Sequence, residues 1–270
     1  MVDKPKGSRV FTKLDVRWGY NNVRIKEGDE WKAAFRTNQG LFEPTVMFFG
    51  LTNSPATFQA MMYTLFHDLI QQGKVVIYLD DILIFTKDIT EHCIIVKEVL
   101  KILQENKLYL KLAKCEMEKD EIKYLGMIIG QGKVRMDPIK VDMVRNWKKP
   151  RTKKELQMFL GYANFYQHFI KGFSGEVKPL TKLTGHKPWK WEEEQTKAFD
   201  ELKARVCSQP VIVIPIDNAP YRVEANASDY AAGAVLSQKQ EGKWHPIVYM
   251  SKAFSDVEFN YEYTTRRCSQ

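Results

Sequence analysis

The stretch "VVIYLDDILIFTK", residues 75–87, places two adjacent aspartates, Asp80 and Asp81, between two apolar runs. The alternation within both runs predicts β-strands, with the aspartates at the turn of a hairpin. Asn-Gly or Asp-Gly is the usual choice at such a turn, whereas two adjacent carboxylates repel each other beside a buried sheet. Asp is also common in turns, so a plain polar turn stays open beside a functional role.

A bound cation is one way to stabilise carboxylates that cluster at an apolar sheet. With hard oxygen ligands and neither histidine nor cysteine next to the doublet, the fitting ion is Mg²⁺. Neighbouring strand residues point to opposite faces, so Asp80 and Asp81 can face one ion only at a turn. A third carboxylate would complete a pair of ions about 3.5–4 Å apart, the geometry of in-line phosphoryl displacement. Asp15 in "FTKLDV" is the candidate.

Length and composition set broader limits. A chain of 270 residues is too long for one compact core and predicts two or three units. Hydrophobic residues at 44% and charged residues at 27% indicate a soluble globular protein. Its apolar runs are shorter than the ~18–20 residues that span a bilayer, and "MVDKPKGSRVF" lacks the apolar region of a secretory signal. The four cysteines lack CxxC spacing and fit a reducing compartment, so we expect an intracellular protein, cytoplasmic or nuclear.

The net charge of +8 favours a polyanionic partner. Basic residues crowd the middle of the chain and alternate with aromatic ones, a composition that fits a surface following a nucleic-acid backbone. Amphipathic helices with solvated lysine faces explain the pattern equally well, and both interpretations stay open. The basic residues are Lys140, Lys148, Lys149, Arg151, Lys153, Lys154, Lys171, Lys178, Lys182, Lys187 and Lys190, and the aromatic ones are Trp147, Phe159, Tyr162, Phe165, Tyr166 and Phe169.

Helix signals follow the first strands. Ser54 as N-cap and Pro55 at the first helical position predict a helix that Gly73 closes. A second amphipathic helix is predicted from about Thr90, with its apolar face on Cys93, Val96, Val99, Leu100 and Leu103.

The rest of the chain changes character twice. "EIKYLGMIIG" and "KVRM" predict a strand pair, and the pattern becomes helical at 137–138. Thr152 and Glu155 form a capping-box pair. Residues 174–191 predict a linker with one short helix, "EEEQTKAFDELKARV" a further helix, and the region from about 211 strands with a turn at "EGK".

Three motifs occur in a fixed order: "FTKLDVRWGYNNVRI" (11–25), "MFFGLTNSPATFQ" (47–59) and "YLDDILIF" (78–85). They resemble motifs A, B and C of the reverse transcriptases of Ty3/gypsy-type LTR retrotransposons. The resemblance continues through 108–130, 155–173 and 223–238 and so spans nearly the whole chain. It implies an α+β fold: a right-hand polymerase palm, an antiparallel sheet with helices, with partial fingers, a helical thumb and a partial RNase H-like β-rich tail. The implied parts are 1–136 (palm with partial fingers), 137–190 (thumb and connection) and 191–270 (connection helix and truncated RNase H-like segment).

The resemblance also implies an activity, RNA-directed DNA polymerase, which extends a DNA primer with dNTPs on an RNA or DNA template. Asp15, Asp80 and Asp81 would be the catalytic carboxylates that bind two Mg²⁺ ions, with Mn²⁺ as a possible substitute. Tyr20 would be the steric gate against a 2′-OH; a core tyrosine is the alternative. Lys114 would be the acid that protonates pyrophosphate, although it could equally be a solvated lysine.

Further roles concern the nucleotide pocket and the primer. Phe49 and Gly50 would line the pocket, where glycine permits close backbone approach. Tyr78 would touch the primer terminus. Tyr124, Leu125 and Gly126 resemble the primer grip, and an ordinary strand is the alternative there.

Departures from the family pattern limit these expectations. Asn226 stands where the family has a metal-binding aspartate, Asp229 does not fill the same place, and the sequence ends in "YTTRRCSQ", so we expect an incomplete, inactive RNase H-like tail. "FTKLDV" begins at residue 11, where the family has several tens of preceding residues, and Phe48 replaces the usual proline. The alternative function is therefore a catalytically weak or inactive nucleic-acid-binding remnant of an element that, when intact, forms virus-like particles.

Overall fold

The computed structural model describes residues 5, 7–185, 188–208, 211–228, 231–255 and 258. The chain divides into two compact units, Met1–Tyr124 and Leu125–Gln270. Two units agree with the number expected from length, whereas the three-part division at 137 and 191 stays a prediction. Within the described ranges, every helix is too short or too polar to cross a lipid bilayer.

The first unit combines antiparallel strands with helices. Strands β4, β5, β1 and β6 form one sheet in that order, and β2 pairs with β3 in a separate hairpin. The elements are β1 (Val10–Asp15), β2 (Phe35–Thr37), β3 (Gly40–Phe42), α1 (Ser54–Leu65), α2 (His67–Gln71), β4 (Val75–Tyr78), β5 (Asp81–Thr86), α3 (Ile89–Glu105), β6 (Glu116–Lys119) and β7 (Glu121–Tyr124).

One face of the main sheet packs in the core of this unit. Leu14 of β1 and Ile82 of β5 are opposite each other in register, and both are fully buried. Phe58 and Met62 of α1 and Val99 of α3 belong to the same apolar cluster. Burial of this face specifies the strand register, because a slip of one residue would turn the apolar side chains to the other face.

The predicted hairpin is confirmed. Tyr78 of β4 is opposite Asp81 of β5, and Leu79 and Asp80 form the turn between them. Leu79 has φ 53°, in the left-handed region that tight two-residue turns require and that a branched side chain rarely adopts. The doublet is therefore split, with Asp80 in the turn and Asp81 at the first position of a strand.

The helix boundaries differ from the prediction in two places and agree with it in a third. Ser54 is the first residue of α1 and not its cap; Asn53 is the N-cap, and the Ser54 hydroxyl donates to the Phe48 carbonyl at 3.3 Å. The predicted helix up to Gly73 breaks at Phe66 into α1 and α2. Helix α3 starts at Ile89, close to the prediction, because the Asp88 side chain caps it.

The buried face of α3 is also rotated from the predicted one. Val99 and Leu103 are buried as expected, whereas His92 and Ile95 replace Cys93 and Val96 as the innermost residues. Leu100, also predicted on the buried face, is 37% exposed. His92 faces inward because its ring nitrogens form hydrogen bonds with the hydroxyls of Thr12 and Thr86, at 2.8 and 3.0 Å.

The second unit contains helices and two groups of strands. Strands β8, β9 and β10 pair antiparallel, as do β11, β12 and β13. The elements are β8 (Met127–Gly130), β9 (Lys133–Met136), α4 (Pro138–Arg145), α5 (Lys153–Asn164), α6 (Phe173–Thr184), α7 (Glu193–Cys207), β10 (Ile212–Val213), β11 (Tyr221–Ala227), β12 (Ala231–Gln240) and β13 (Lys243–Ala253).

Several predicted features of this unit are confirmed and two are wrong. The Thr152 side chain caps α5 by accepting from the Glu155 N–H, and β12 turns into β13 at residues 241 and 242. Only this half of the predicted capping box forms, because the Glu155 carboxylate accepts from the Arg151 N–H at 2.7 Å and not from Thr152. The strand expected over "EIKYLGMIIG" is interrupted, because Leu125 and Gly126 have positive φ angles of 49° and 76°. The expected linker with a short helix contains the 12-residue helix α6.

Candidate active site at the end of the first sheet

Three predicted site residues form a row across the main sheet. Tyr78 is opposite Asp81, and Asp81 is opposite Asp15. Directly paired residues of antiparallel strands project from the same face. Tyr78, Asp81 and Asp15 therefore share one face, opposite the face that carries Leu14 and Ile82.

Backbone contacts hold the third carboxylate beside this row. The Val16 N–H donates to the Asp80 carbonyl at 2.8 Å and so ties the end of β1 to the turn. The Asp80 side chain is exposed, Asp81 is half-buried and Asp15 is only 8% exposed. The structure thus brings Asp15, Asp80 and Asp81 to one end of the sheet.

A glutamine of α1 clamps the turn, and the sequence interpretation did not identify it. Gln59 Oε1 accepts from the Leu79 N–H at 2.7 Å, and Gln59 Nε2 donates to the Ile77 carbonyl at 3.2 Å. These two bonds hold the backbone on which the carboxylates are mounted. Gln59 lies in the predicted motif at 47–59, but only the three-dimensional structure reveals its partners.

The carboxylates interact electrostatically. Burial raises the pKa of Asp81, and the neighbouring carboxylates of Asp80 and Asp15 raise it further. Lys13 and Lys114 act in the opposite direction. The folded protein therefore disfavours the charged form of Asp81, the situation that a bound cation would relieve.

The donor chemistry fits Mg²⁺, because Asp15, Asp80 and Asp81 supply hard oxygen ligands. Their arrangement is not yet a formed site: in the described residues no group of three or more Asp, Glu, His or Cys side chains is placed to hold a metal ion. Asp15 Oδ2 is instead 3.3 Å from Lys114 Nζ. Lys114, predicted as an acid with a solvated lysine as the alternative, thus pairs with Asp15 while its side chain stays 57% exposed.

Tyr20 borders the carboxylates from the side of the predicted nucleotide pocket. Its ring is edge-on to Phe49, at a centroid distance of 4.9 Å, and to Phe58, at 5.7 Å. Burial, followed by the charges of Asp80 and Tyr78, raises its pKa. Phe49 is 75% exposed and Gly50 has φ 111°. The structure thus places Tyr20 and Phe49 together.

A second residue missed from the sequence, Gly19, explains how Tyr20 reaches this position. A Cβ at Gly19 would lie 2.9 Å from the Phe58 ring, closer than side chains approach each other. Residues 19–22 form a 3₁₀ turn, and only glycine lets that turn approach α1. Its signal in the sequence, one glycine next to a tyrosine, is too weak to identify it.

The predicted primer-contact residues are divided between the units. Tyr124 ends β7 in the first unit, is 3% exposed and has a buried hydroxyl with no hydrogen-bond partner among the described residues. Burial raises its pKa, as do the charges of Asp81, Tyr63 and Tyr78. Leu125 and Gly126 belong to the second unit, where they line a groove of about 330 Å³ with Lys140 and Phe165.

The structure shows which of the aromatic residues that alternate with lysines are buried in the core and which are exposed. Phe159, Tyr166 and Phe169 are at most 4% exposed, so they are core residues of an amphipathic bundle. Phe165 is 49% exposed, and Lys140 Nζ lies 5.8 Å from the Tyr162 ring centroid. Lys140, Tyr162 and Phe165 therefore form a lysine–aromatic surface beside the groove, and Lys149 Nζ, 5.2 Å from the Trp191 ring centroid, forms a second lysine–aromatic contact in this unit.

Asn226 lies on β11, exposed, opposite Gly233 of β12. Gly233 is in turn opposite Ser251 of β13, so the row through Asn226 carries no carboxylate. Asp229 and the terminal "YTTRRCSQ" lie outside the described residues.

Comparisons with protein families identify two regions. Residues 1–129 match the model described as "Reverse transcriptase (RNA-dependent DNA polymerase)". Residues 191–269 match the "RNase H-like domain found in reverse transcriptase".

Full-length relatives and solved structures extend the similarity over the chain. The Transposon Tf2-3 polyprotein of Schizosaccharomyces pombe is 38% identical over 97% of this chain, which spans 20% of that polyprotein. The foamy viral protease-reverse transcriptase in complex with RNA/DNA hybrid has TM-score 0.82 and 29% identity, covering 94% of this chain and 34% of its own. A second structure of that protein, in complex with dsDNA, has TM-score 0.79 and 28% identity, covering 96% of this chain and 54% of its own.

Proposed function

Because this chain belongs to the reverse transcriptase family of Ty3/gypsy-type retrotransposons, we propose that it is an RNA-directed DNA polymerase that extends a primer with dNTPs. Its α+β fold is that of a polymerase palm with a helical region and an RNase H-like tail. The observation that carries the proposal is the row in which Asp81 is opposite Asp15, with Asp80 in the adjoining turn.

The chain's own residues define how the reaction would proceed. Asp15, Asp80 and Asp81 would hold Mg²⁺, which lowers the pKa of a primer 3′-hydroxyl and stabilises charge on the triphosphate. Tyr78, on the same row, would bear on the primer terminus. The 3′-hydroxyl would lose its proton to water as its oxygen attacks the α-phosphorus. The bond from that phosphorus to the oxygen bridging the β-phosphate would break, and the leaving pyrophosphate would take a proton from Lys114.

Tyr20 and Phe49 would form the wall that meets the sugar. Edge-to-face packing on Phe49 and Phe58 limits the rotation of the Tyr20 ring. A rigid ring next to the carboxylates would exclude a 2′-OH by contact. Tyr20→Ala should therefore admit ribonucleotides, whereas unchanged dNTP/rNTP discrimination would reject the gate.

The proposed polymer partner is an RNA or DNA template with a DNA primer. The structural neighbours were solved with RNA/DNA hybrid and with double-stranded DNA, and the net charge of +8 suits such a polyanion. If Lys140 and its neighbours contact phosphates, duplex binding should weaken steeply with salt. Duplex binding that does not change with salt concentration would show that these lysines do not contact phosphates.

RNase H activity is proposed to be absent. The side chain of Asn226 offers a neutral amide where a metal-binding carboxylate is expected, and Gly233 and Ser251 add no charge across the row. Degradation of the RNA strand of a labelled hybrid would contradict this.

Primer extension on poly(rA)/oligo(dT) with Mg²⁺ or Mn²⁺ tests the main proposal. The wild-type chain should extend the primer, and a chain with Asp80→Asn and Asp81→Asn should not. Equal products from both chains at micromolar concentration would overturn the enzymatic function. Duplex binding without extension by either chain would favour the alternative, a nucleic-acid-binding remnant, which the unformed ligand set supports.

A further inference from the structure

The two members of the Lys114–Asp15 ion pair differ in their exposure to solvent. Lys114 Nζ and Asp15 Oδ2 are 3.3 Å apart, and the side chains are 57% and 11% exposed, respectively. The carboxylate is thus held inside the protein, whereas the cation reaches it from solvent. Such a half-exposed pair contributes little to stability, so it can open at small cost.

The backbone keeps Lys114 near Asp15 whether or not the pair is formed. The Lys111 N–H donates to the Asp15 carbonyl at 2.9 Å, and the Lys114 N–H donates to the Lys111 carbonyl at 2.9 Å. The short 3₁₀ turn over residues 112–114 is therefore anchored to the end of β1. From this fixed base the flexible four-carbon stem of lysine can swing towards or away from the carboxylate.

Lys13, the other cation that affects Asp81, is placed differently. Its side chain is 19% exposed, lies 3.3 Å from Glu116 Oε1 and donates to the Lys123 carbonyl at 3.3 Å. It is therefore held by partners of its own. Lys114 is the cation with freedom to leave.

We propose that Lys114 is an exchangeable counter-ion, which occupies Asp15 in the metal-free protein and leaves it when a divalent cation binds. The inference rests on the proposed function, because it takes Asp15, Asp80 and Asp81 as the ligands. It explains why the ligands are present without forming a site: an Asp15 oxygen is engaged by the ammonium group.

The exchange has a consequence for the reaction. Molecules in which the Lys114–Asp15 pair is closed do not offer Asp15 to the metal. The apparent affinity for metal is therefore the intrinsic affinity multiplied by the fraction of molecules in which the pair is open. Release of Lys114 on metal binding would make it available to a leaving pyrophosphate only in the loaded protein. Metal loading and acid supply would thus be coupled through one side chain.

Direct titration of the full chain with Mn²⁺, followed by electron paramagnetic resonance or calorimetry, tests the exchange without an activity assay. Lys114→Met keeps the stem and removes the charge, so it should bind Mn²⁺ about two- to fivefold more tightly than wild type, the range of a weak surface ion pair. Lys114→Arg should not gain affinity, because the guanidinium still pairs with Asp15.

Lys111→Met is the matched control. It removes the same charge from the same turn, and Lys111 makes no ion pair within the described residues. An equal gain in Lys111→Met and Lys114→Met would show a general charge effect and overturn the exchange, as would no gain in Lys114→Met with an unchanged circular dichroism spectrum. Failure of all four proteins to bind Mn²⁺ would instead overturn the proposed metal site, and the exchange with it.

Discussion

Two rows of side chains cross antiparallel sheets in this molecule, and they differ in charge. In the first unit the row is Tyr78, Asp81 and Asp15; in the second it is Asn226, Gly233 and Ser251. Both rows align three residues across three strands, although Gly233 contributes no side chain to the second row. Strand geometry therefore supplies the alignment in either unit, and the residue types decide which row is suited to phosphoryl chemistry.

The charged row imposes a cost that the neutral row does not. Burial and like charges raise the pKa of Asp81, so the native protein would be more stable if that group were neutral. Natural proteins accept such local conflicts at functional sites. The raised pKa of Asp81 is therefore a local conflict of the kind that functional sites show, and folding alone does not call for it.

The largest effect should come from Asp81→Asn, which makes the first row resemble the second. DNA synthesis should fall by roughly a hundredfold or more, since stabilisation of transition-state charge at a metal is worth several kcal/mol. The melting temperature at pH 7 should rise, because the substitution removes a charge that the fold disfavours. Asp68→Asn, at a side chain that is 90% exposed, should change neither quantity. A lower melting temperature for Asp81→Asn would show that the row is structural.

A smaller effect is expected from Gln59→Ala, which removes the clamp and leaves the charges. Two hydrogen bonds of about 0.5–1.5 kcal/mol each are lost, so the free energy of unfolding in urea should fall by roughly 1–3 kcal/mol. Primer extension should fall as well, because the turn that carries Asp80 loosens. Gln71→Ala, on the exposed surface of α2, is the control and should leave both unchanged. A wild-type free energy of unfolding in Gln59→Ala would show that the two hydrogen bonds of Gln59 do not stabilise the turn.

On the opposite face of the same sheet, the buried ring of His92 forms hydrogen bonds with two threonine hydroxyls. Thr86 Oγ1 donates to the Asp88 carbonyl and therefore accepts from His92 Nδ1, which leaves Nε2 to accept from the Thr12 hydroxyl. The ring is neutral in this network and fully buried. Burial lowers the pKa of His92 below its usual 6.5, against the opposing influence of Glu118 and Glu91.

The sign of the pH effect follows from this lowered pKa. Below about pH 6.5 the unfolded chain takes up a proton that the native ring resists, so stability is lost as the pH falls towards the native pKa, by up to about 1.4 kcal/mol per pH unit. By about pH 7.5 neither state binds a proton at His92 to any extent, so its effect on stability vanishes there. Urea unfolding between pH 5.5 and 7.5 measures the slope. His92→Gln should reduce it, while His67→Gln, at an exposed histidine, should preserve it; equal slopes in all three proteins would exclude His92.

The sequence was informative where patterns are local. The hairpin at 75–87 and the cap at Thr152 follow from alternation and short-range side-chain chemistry, and both are confirmed. The site residues Gly19 and Gln59 could not be predicted, because their roles depend on Phe58 and on the backbone of β4. The rotation of α3 could not be predicted for the same reason. A buried His92 is favourable only because two threonines of the sheet form hydrogen bonds with its ring.

The smallest effect is expected for Asn226→Asp, which adds a carboxylate to the neutral row. Asn226 is exposed, and Glu224, two residues away on the same face, is already paired with Arg222 at 3.0 Å. The free energy of unfolding should change by no more than about 0.5 kcal/mol. Neither Gly233 nor Ser251 offers a second carboxylate in the row, so cleavage of an RNA/DNA hybrid should not appear. Hybrid cleavage by Asn226→Asp with Mn²⁺ would show that a single added carboxylate, and not a row of them, is enough to make the second sheet active.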